Sequence, residues 1–73
     1  MSGKKEVEVE SSTITKIEYL NEKELLIVSL KNGGQFQFSN VPVSVFHRFS
    51  ASKDKFAFLK GQLIGVYPFR RIA

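Results

Sequence analysis

The chain has 73 residues, 42% hydrophobic and 25% charged, with no cysteine and a formal net charge of +4. That length leaves room for one core, and the absence of cysteine excludes disulfide staples, thiolate metal sites and cysteine catalysis, which fits a reducing, intracellular setting. The longest apolar stretch, Leu25 to Val28, is far short of a bilayer span, and the charged start has no apolar run behind it, so neither a membrane segment nor a secretory leader is expected.

Residues 1–10 read as an N-terminal arm, flexible or strand-forming. Val7 and Val9 alternate with Glu6, Glu8 and Glu10, which is strand periodicity with one thin apolar face. Such a segment gains order by adding to an exposed sheet edge, its own or a partner's, and otherwise stays solvated. Residues 11–73 are expected to form a single domain. Its first strand spans Thr13 to Leu20, β-branched at Thr13, Ile14, Thr15 and Ile17 and aromatic at Tyr19. Ile17 and Tyr19 share a face and Ile14 is out of phase with them, a conflict that a β-bulge resolves. Asn21 to Glu24 makes a polar turn, and Leu25 to Leu30 a second strand.

Lys31-Asn32-Gly33-Gly34 is a hairpin signal leading into a third strand, Gln35 to Ser39. A two-residue turn at Asn32-Gly33 would set Phe36 opposite Ser29 and Phe38 opposite Ile27. A three-residue loop of Asn32, Gly33 and Gly34 sets Phe36 opposite Leu30 and Phe38 opposite Val28. The second register is preferred, because it gathers Leu26, Val28, Leu30, Phe36 and Phe38 on one face and gives Gly34 a left-handed role. Leu25 and Ile27 then need cover on the other face.

Val41-Pro42 opens a helix, with Pro42 at its first position and Val45, Phe46 and Phe49 as its apolar stripe. Residues 50–54 break it, and Ser52 is the expected cap of a second helix carrying Phe56, Leu59 and Leu63, with Gly65 as its stop. The tail from Val66 to Ile72 contains Pro68 and reads as an edge strand. The expected fold is α+β: a small antiparallel sheet, a three-strand meander plus a short C-terminal edge strand, packed by two short helices.

Taken in order, Ser11-Ser12, Ile14, Ile17 and Tyr19, then Leu26-x-Val28-x-Leu30 into Asn32-Gly33-Gly34, then Phe36-Gln37-Phe38, Val41-Pro42, Val45-Phe46, Ala51-x-Lys53 and Tyr67-Pro68-Phe69-Arg70-Arg71-Ile72 resemble the KTSC domain family. That module occurs alone in bacteria and phages and at the C-terminus of some lysyl-tRNA synthetases. The resemblance spans roughly residues 9–72 and implies the same fold, with RNA binding as the activity proposed for the family. Two departures stand out. The family's central aromatic pair is usually tyrosine, and here Phe36 and Phe38 lack hydroxyls. A glycine common at the start of its second helix is also missing.

Charge is divided along the chain. Residues 1–24 hold four lysines and six glutamates, 4 − 6 = −2, and residues 25–73 hold seven Lys/Arg and Asp54, 7 − 1 = +6. The fold should therefore carry an acidic end and a basic end, a polarity suited to nucleic acid or to a protein that handles it. No catalytic constellation is visible, so no enzyme, no cofactor and no metal are expected. His47 is the sole histidine and reads as a surface side chain, the glutamates are interleaved with lysines, and Gly33-Gly34 precedes a strand rather than a phosphate-binding helix.

The candidate partner-binding residues are Lys4, Lys5, Val7 and Val9 in the arm, with Arg48, Tyr67, Arg70 and Arg71. Arginine and aromatic residues are enriched at binding hot spots, and Tyr67 is the expected exposed aromatic, since Phe36 and Phe38 belong inside. In size, charge and lack of cysteine the chain is also similar to small phage-encoded regulators of bacterial RNA polymerase. That likeness implies a non-enzymatic, monomeric, cytoplasmic protein, in the host cytoplasm for a phage product. Its partner would be RNA polymerase, and its effect would be sigma displacement, antitermination or both. The alternative is a small RNA-binding module.

Overall fold

A computed structural model describes residues 4–9 and 13–73. Five antiparallel strands form one sheet in the order β1 (Lys4–Glu8), β2 (Ile14–Leu20), β3 (Leu25–Leu30), β4 (Gln35–Phe38) and β5 (Phe69–Arg71). Between β4 and β5 the chain forms α1 (Val43–Ala51), then α2 (Lys55–Phe58), which continues as a π-helical turn over Leu59–Leu63. The fold is thus the expected α+β class with one strand more, because the arm pairs along the outer edge of β2. Ser11 and Ser12, which contribute to the resemblance, and the boundary between arm and domain lie outside the described residues.

The strand faces follow from the registers. Val7, Ile17, Val28, Phe36 and Arg71 align across the sheet, as do Tyr19, Leu26, Phe38 and Phe69. This face receives the helices. Ile14, Ile17, Tyr19, Leu26, Val28 and Phe38 are buried there with Val45, Phe46 and Phe49 of α1 and with Leu59 and Leu63. The expected bulge is present between Ile14 and Lys16, and it returns both Ile14 and Ile17 to the core.

The hairpin keeps the expected faces and changes the pairing. Val28 lies opposite Phe36 and Leu26 opposite Phe38, two residues along from the expected register. The loop is Lys31-Asn32-Gly33, closed by the Leu30 amide donating to the Gly34 carbonyl. Gly33, at φ +93°, takes the left-handed position in place of Gly34, whose amide donates to Asn32 Oδ1. A slip of two preserves side-chain alternation, so sequence pattern alone does not distinguish the two pairings.

Pro42 stands one position outside α1, as its N-cap, rather than at the first helical residue. Asp54, not Ser52, caps α2: its Oδ1 accepts from the Ala57 amide, while the Ser52 hydroxyl donates back to the Phe49 carbonyl at the end of α1. In the second helical segment Phe56 is exposed, and Phe58 stacks on Phe49 with 5.1 Å between ring centroids. The segment then widens into the π-turn. Ile64 donates to Leu59 five residues back, and Leu59 and Leu63 within that turn enter the core. Gly65, at φ +87°, ends the segment as expected.

Candidate functional site

The face of the sheet away from the helices is polar and graded in charge. Glu6, Glu18, Ile27, Gln37 and Arg70 form one row across it. Glu6 and Glu18 are directly opposed, an arrangement that costs stability unless a cation intervenes. Lys16 supplies one, with Nζ 3.5 Å from Glu6 Oε1 and 3.6 Å from Glu18 Oε1. In mid-sheet Ser29 is nearly buried, accepting at Oγ from Gln35 Nε2 and at its carbonyl from Thr15 Oγ1. Leu25 and Ile27 are half-buried on this face.

At one edge, β1 contributes Glu6 and Glu8, and Lys4 and Lys5 have their backbone in the same strand. Val7 and Val9 do not stand free. Both are half-buried and pack against the core, so the arm's apolar stripe serves the domain's own sheet. Beside them lies a cleft of about 380 Å³, lined by Val7, Glu8, Val9, Ser50, Lys53, Asp54 and Lys55. Lys55 Nζ is tied to the Ser52 carbonyl at 2.8 Å.

The opposite edge is β5, and all three of its residues are exposed. Phe69, 43% exposed, packs edge-on to Phe36 at 5.7 Å and against Phe38 at 5.3 Å. Arg71 Nε donates to the Ala73 carbonyl at 2.8 Å, which holds the guanidinium beside Gly34. Arg70 points to the polar face and, with Gln37, Ser39, Pro68 and Phe69, lines a cleft of about 320 Å³.

The sequence-derived residues therefore fall into separate groups. Lys4, Lys5 and Val7 belong to β1 and Val9 follows it directly, and Arg70 and Arg71 belong to β5, four strand spacings or roughly 19 Å away. Arg48 is exposed on α1. Tyr67 is half-buried against the core, its amide donating to the Leu63 carbonyl, so it is not the tail's exposed aromatic. Phe69 is, and the sequence reading passed over it. The available signal was strand alternation from Pro68: a three-residue edge strand leaves its single apolar side chain only half covered. Phe38 is fully buried and Phe36 half-buried, which places the central aromatic pair largely inside.

His47 is exposed, and its ring lies 5.7 Å from Phe46. Among the described residues no group of three or more His, Asp or Glu side chains is placed to hold a metal ion, and no helix is long and apolar enough to cross a membrane.

No curated protein matches the chain. Among solved structures, the crystal structure of a KTSC domain protein from Yersinia pestis is 25% identical and superposes with a TM-score of 0.88, covering 97% of this chain and 100% of that one. The sequence model of the KTSC domain matches residues 10–67, more than half of the chain. The protein belongs to the KTSC domain family.

Proposed function

We propose that the protein is a non-enzymatic regulator that binds bacterial RNA polymerase and acts by occlusion, through sigma displacement at initiation, antitermination or both. The observation that carries this reading is the opposition of charge across one small sheet. Along one row of the polar face Glu6 and Glu18 stand at one end and Arg70 at the other, while the β1 edge as a whole carries both signs, with Lys4, Lys5 and Lys16 among its glutamates. A body of 33 × 21 × 21 Å with a mixed-charge edge on one side and a purely basic one on the other suits a partner that surrounds it, as the walls of a channel do. A nucleic-acid strand would use only the basic edge. The likeness in size and charge to phage-encoded regulators points to the polymerase.

The second reading, an RNA-binding module, has one observation in its favour: exposed Phe69 lies beside Arg70 and Arg71, pairing a stacking surface with phosphate-binding charge. Capture from bacterial lysate and titration with single-stranded RNA at two salt concentrations separate the two. The expected result is polymerase on the resin, lost when residues 1–8 are deleted and Arg70 and Arg71 are replaced by alanine. Micromolar RNA binding with a steep salt slope, and no polymerase, would replace this reading with the second.

A further inference from the structure

We infer that the free edge of β5 is a strand-addition site for an extended acidic peptide segment of a protein partner. This rests on the reading of the protein as a protein ligand and specifies how one of its edges is engaged.

The backbone supports it first. The Ile72 amide donates to the Gln35 carbonyl, and the Ser39 amide donates to the Pro68 carbonyl. In an antiparallel ladder such pairs alternate, so Gln37 and Arg70 face each other between them, and Phe69 and Arg71 turn their N–H and C=O groups outward. No other strand lies beyond β5 among the described residues. A strand laid against it would gain main-chain hydrogen bonds to Phe69 and Arg71.

Side chains set the chemistry of that strand. Antiparallel to β5, its residues would meet Arg71, Arg70 and Phe69 in turn. Phe69 offers a half-covered aromatic face, continued by Phe36, that suits an apolar residue. Arg70 stands over the cleft with Gln37 and Ser39 and can pair bidentately with a carboxylate, as can the outer nitrogens of Arg71. The pattern is acidic, acidic, apolar.

The same charges disfavour a second copy of β5. Two-fold antiparallel pairing would set Arg70 against Arg70, which like-charge repulsion opposes.

The test uses the full-length protein and a fluorescein-labelled peptide, Thr-Glu-Glu-Val-Thr, followed by anisotropy and by amide hydrogen exchange. The peptide should slow exchange at the Phe69 and Arg71 amides by at least about tenfold and leave Arg70 unchanged, since that amide already faces Gln37. Arg70→Ala should weaken binding by about fivefold. Arg71→Pro, which removes an outward N–H at an edge position that tolerates proline, should bind more weakly than Arg71→Ala.

Equal affinity of those two variants, or protection of Arg70 instead of its neighbours, overturns the proposal. So does protection of the same amides by single-stranded RNA or by self-association, with none from the peptide. Peptide protection without polymerase capture would support the edge site and remove the polymerase reading. Polymerase capture that survives Arg71→Pro, with no peptide protection, would overturn the edge site and leave the polymerase reading standing.

Discussion

The Tyr19 hydroxyl donates a 2.6 Å hydrogen bond to the Val41 carbonyl, 22 residues away, and ties the C-terminal end of β2 to the corner where the sheet gives way to α1. The Val41 amide donates to the Glu24 carbonyl, so both polar groups of a fully buried residue are satisfied by the β2–β3 region. The Tyr19 ring stacks on Phe46 with 5.2 Å between centroids. Tyr19→Phe keeps the stack and leaves a buried carbonyl without its donor, a loss of about 1–3 kcal/mol. Urea denaturation should show a lower midpoint with an unchanged slope. An unchanged midpoint would mean that the bond adds nothing to stability.

The same hydroxyl predicts an alkaline limit. Burial, and secondarily the Glu24 carboxylate, raise the Tyr19 pKa above the ordinary 10.0. Above that pH the unfolded chain releases a proton that the folded chain retains, so protons favour the native state and stability falls as pH rises. The contribution is complete below pH 10.0 and is lost as pH passes through the raised native value. Unfolding free energies measured from pH 8 to 11.5 should decline more steeply in the wild type than in Tyr19→Phe. Parallel curves would assign the decline to other groups.

The π-turn yields a paired mutational prediction. Phe58 stacks on Phe49 and packs against the core, whereas Phe56 is exposed and is covered on one side by Lys60, with Nζ 4.9 Å from its ring centroid. Phe58→Ala should cost about 2–4 kcal/mol, and Phe56→Ala about 1 kcal/mol or less. Thermal melts of the two variants decide it. The reverse order would place Phe56 rather than Phe58 against the core, as the sequence spacing suggests.

These residues also show where sequence ceased to be informative. Alternation at Leu26, Val28, Phe36 and Phe38, and the phase conflict between Ile14 and Ile17, fix faces and the bulge because a strand has only two faces. Register slips of two and π-turns leave that alternation, or the apolar composition, unchanged. They are decided by tertiary contacts such as Leu59 and Leu63 entering the core together. Capping is ambiguous in sequence for a related reason. Ser52 and Asp54 are both good caps, and the choice depends on where the chain leaves α1. At the candidate site, basic residues near the end of the chain were legible. That they form an edge with exposed Phe69, four strands from the arm, required the sheet order.

Two glycines that look alike in sequence should respond oppositely to alanine. Gly33 sits at φ +93° with open space around an added Cβ, so the cost of Gly33→Ala is backbone strain alone, about 1–2 kcal/mol. Gly61 lies within the π-turn at ordinary helical φ, and an added Cβ likewise meets nothing within 4 Å. Gly61→Ala narrows the unfolded ensemble at no steric cost and should stabilise by about 0.5–1 kcal/mol. Chemical denaturation of both variants measures the difference directly. Destabilisation by Gly61→Ala would show that the turn needs the conformational freedom of glycine.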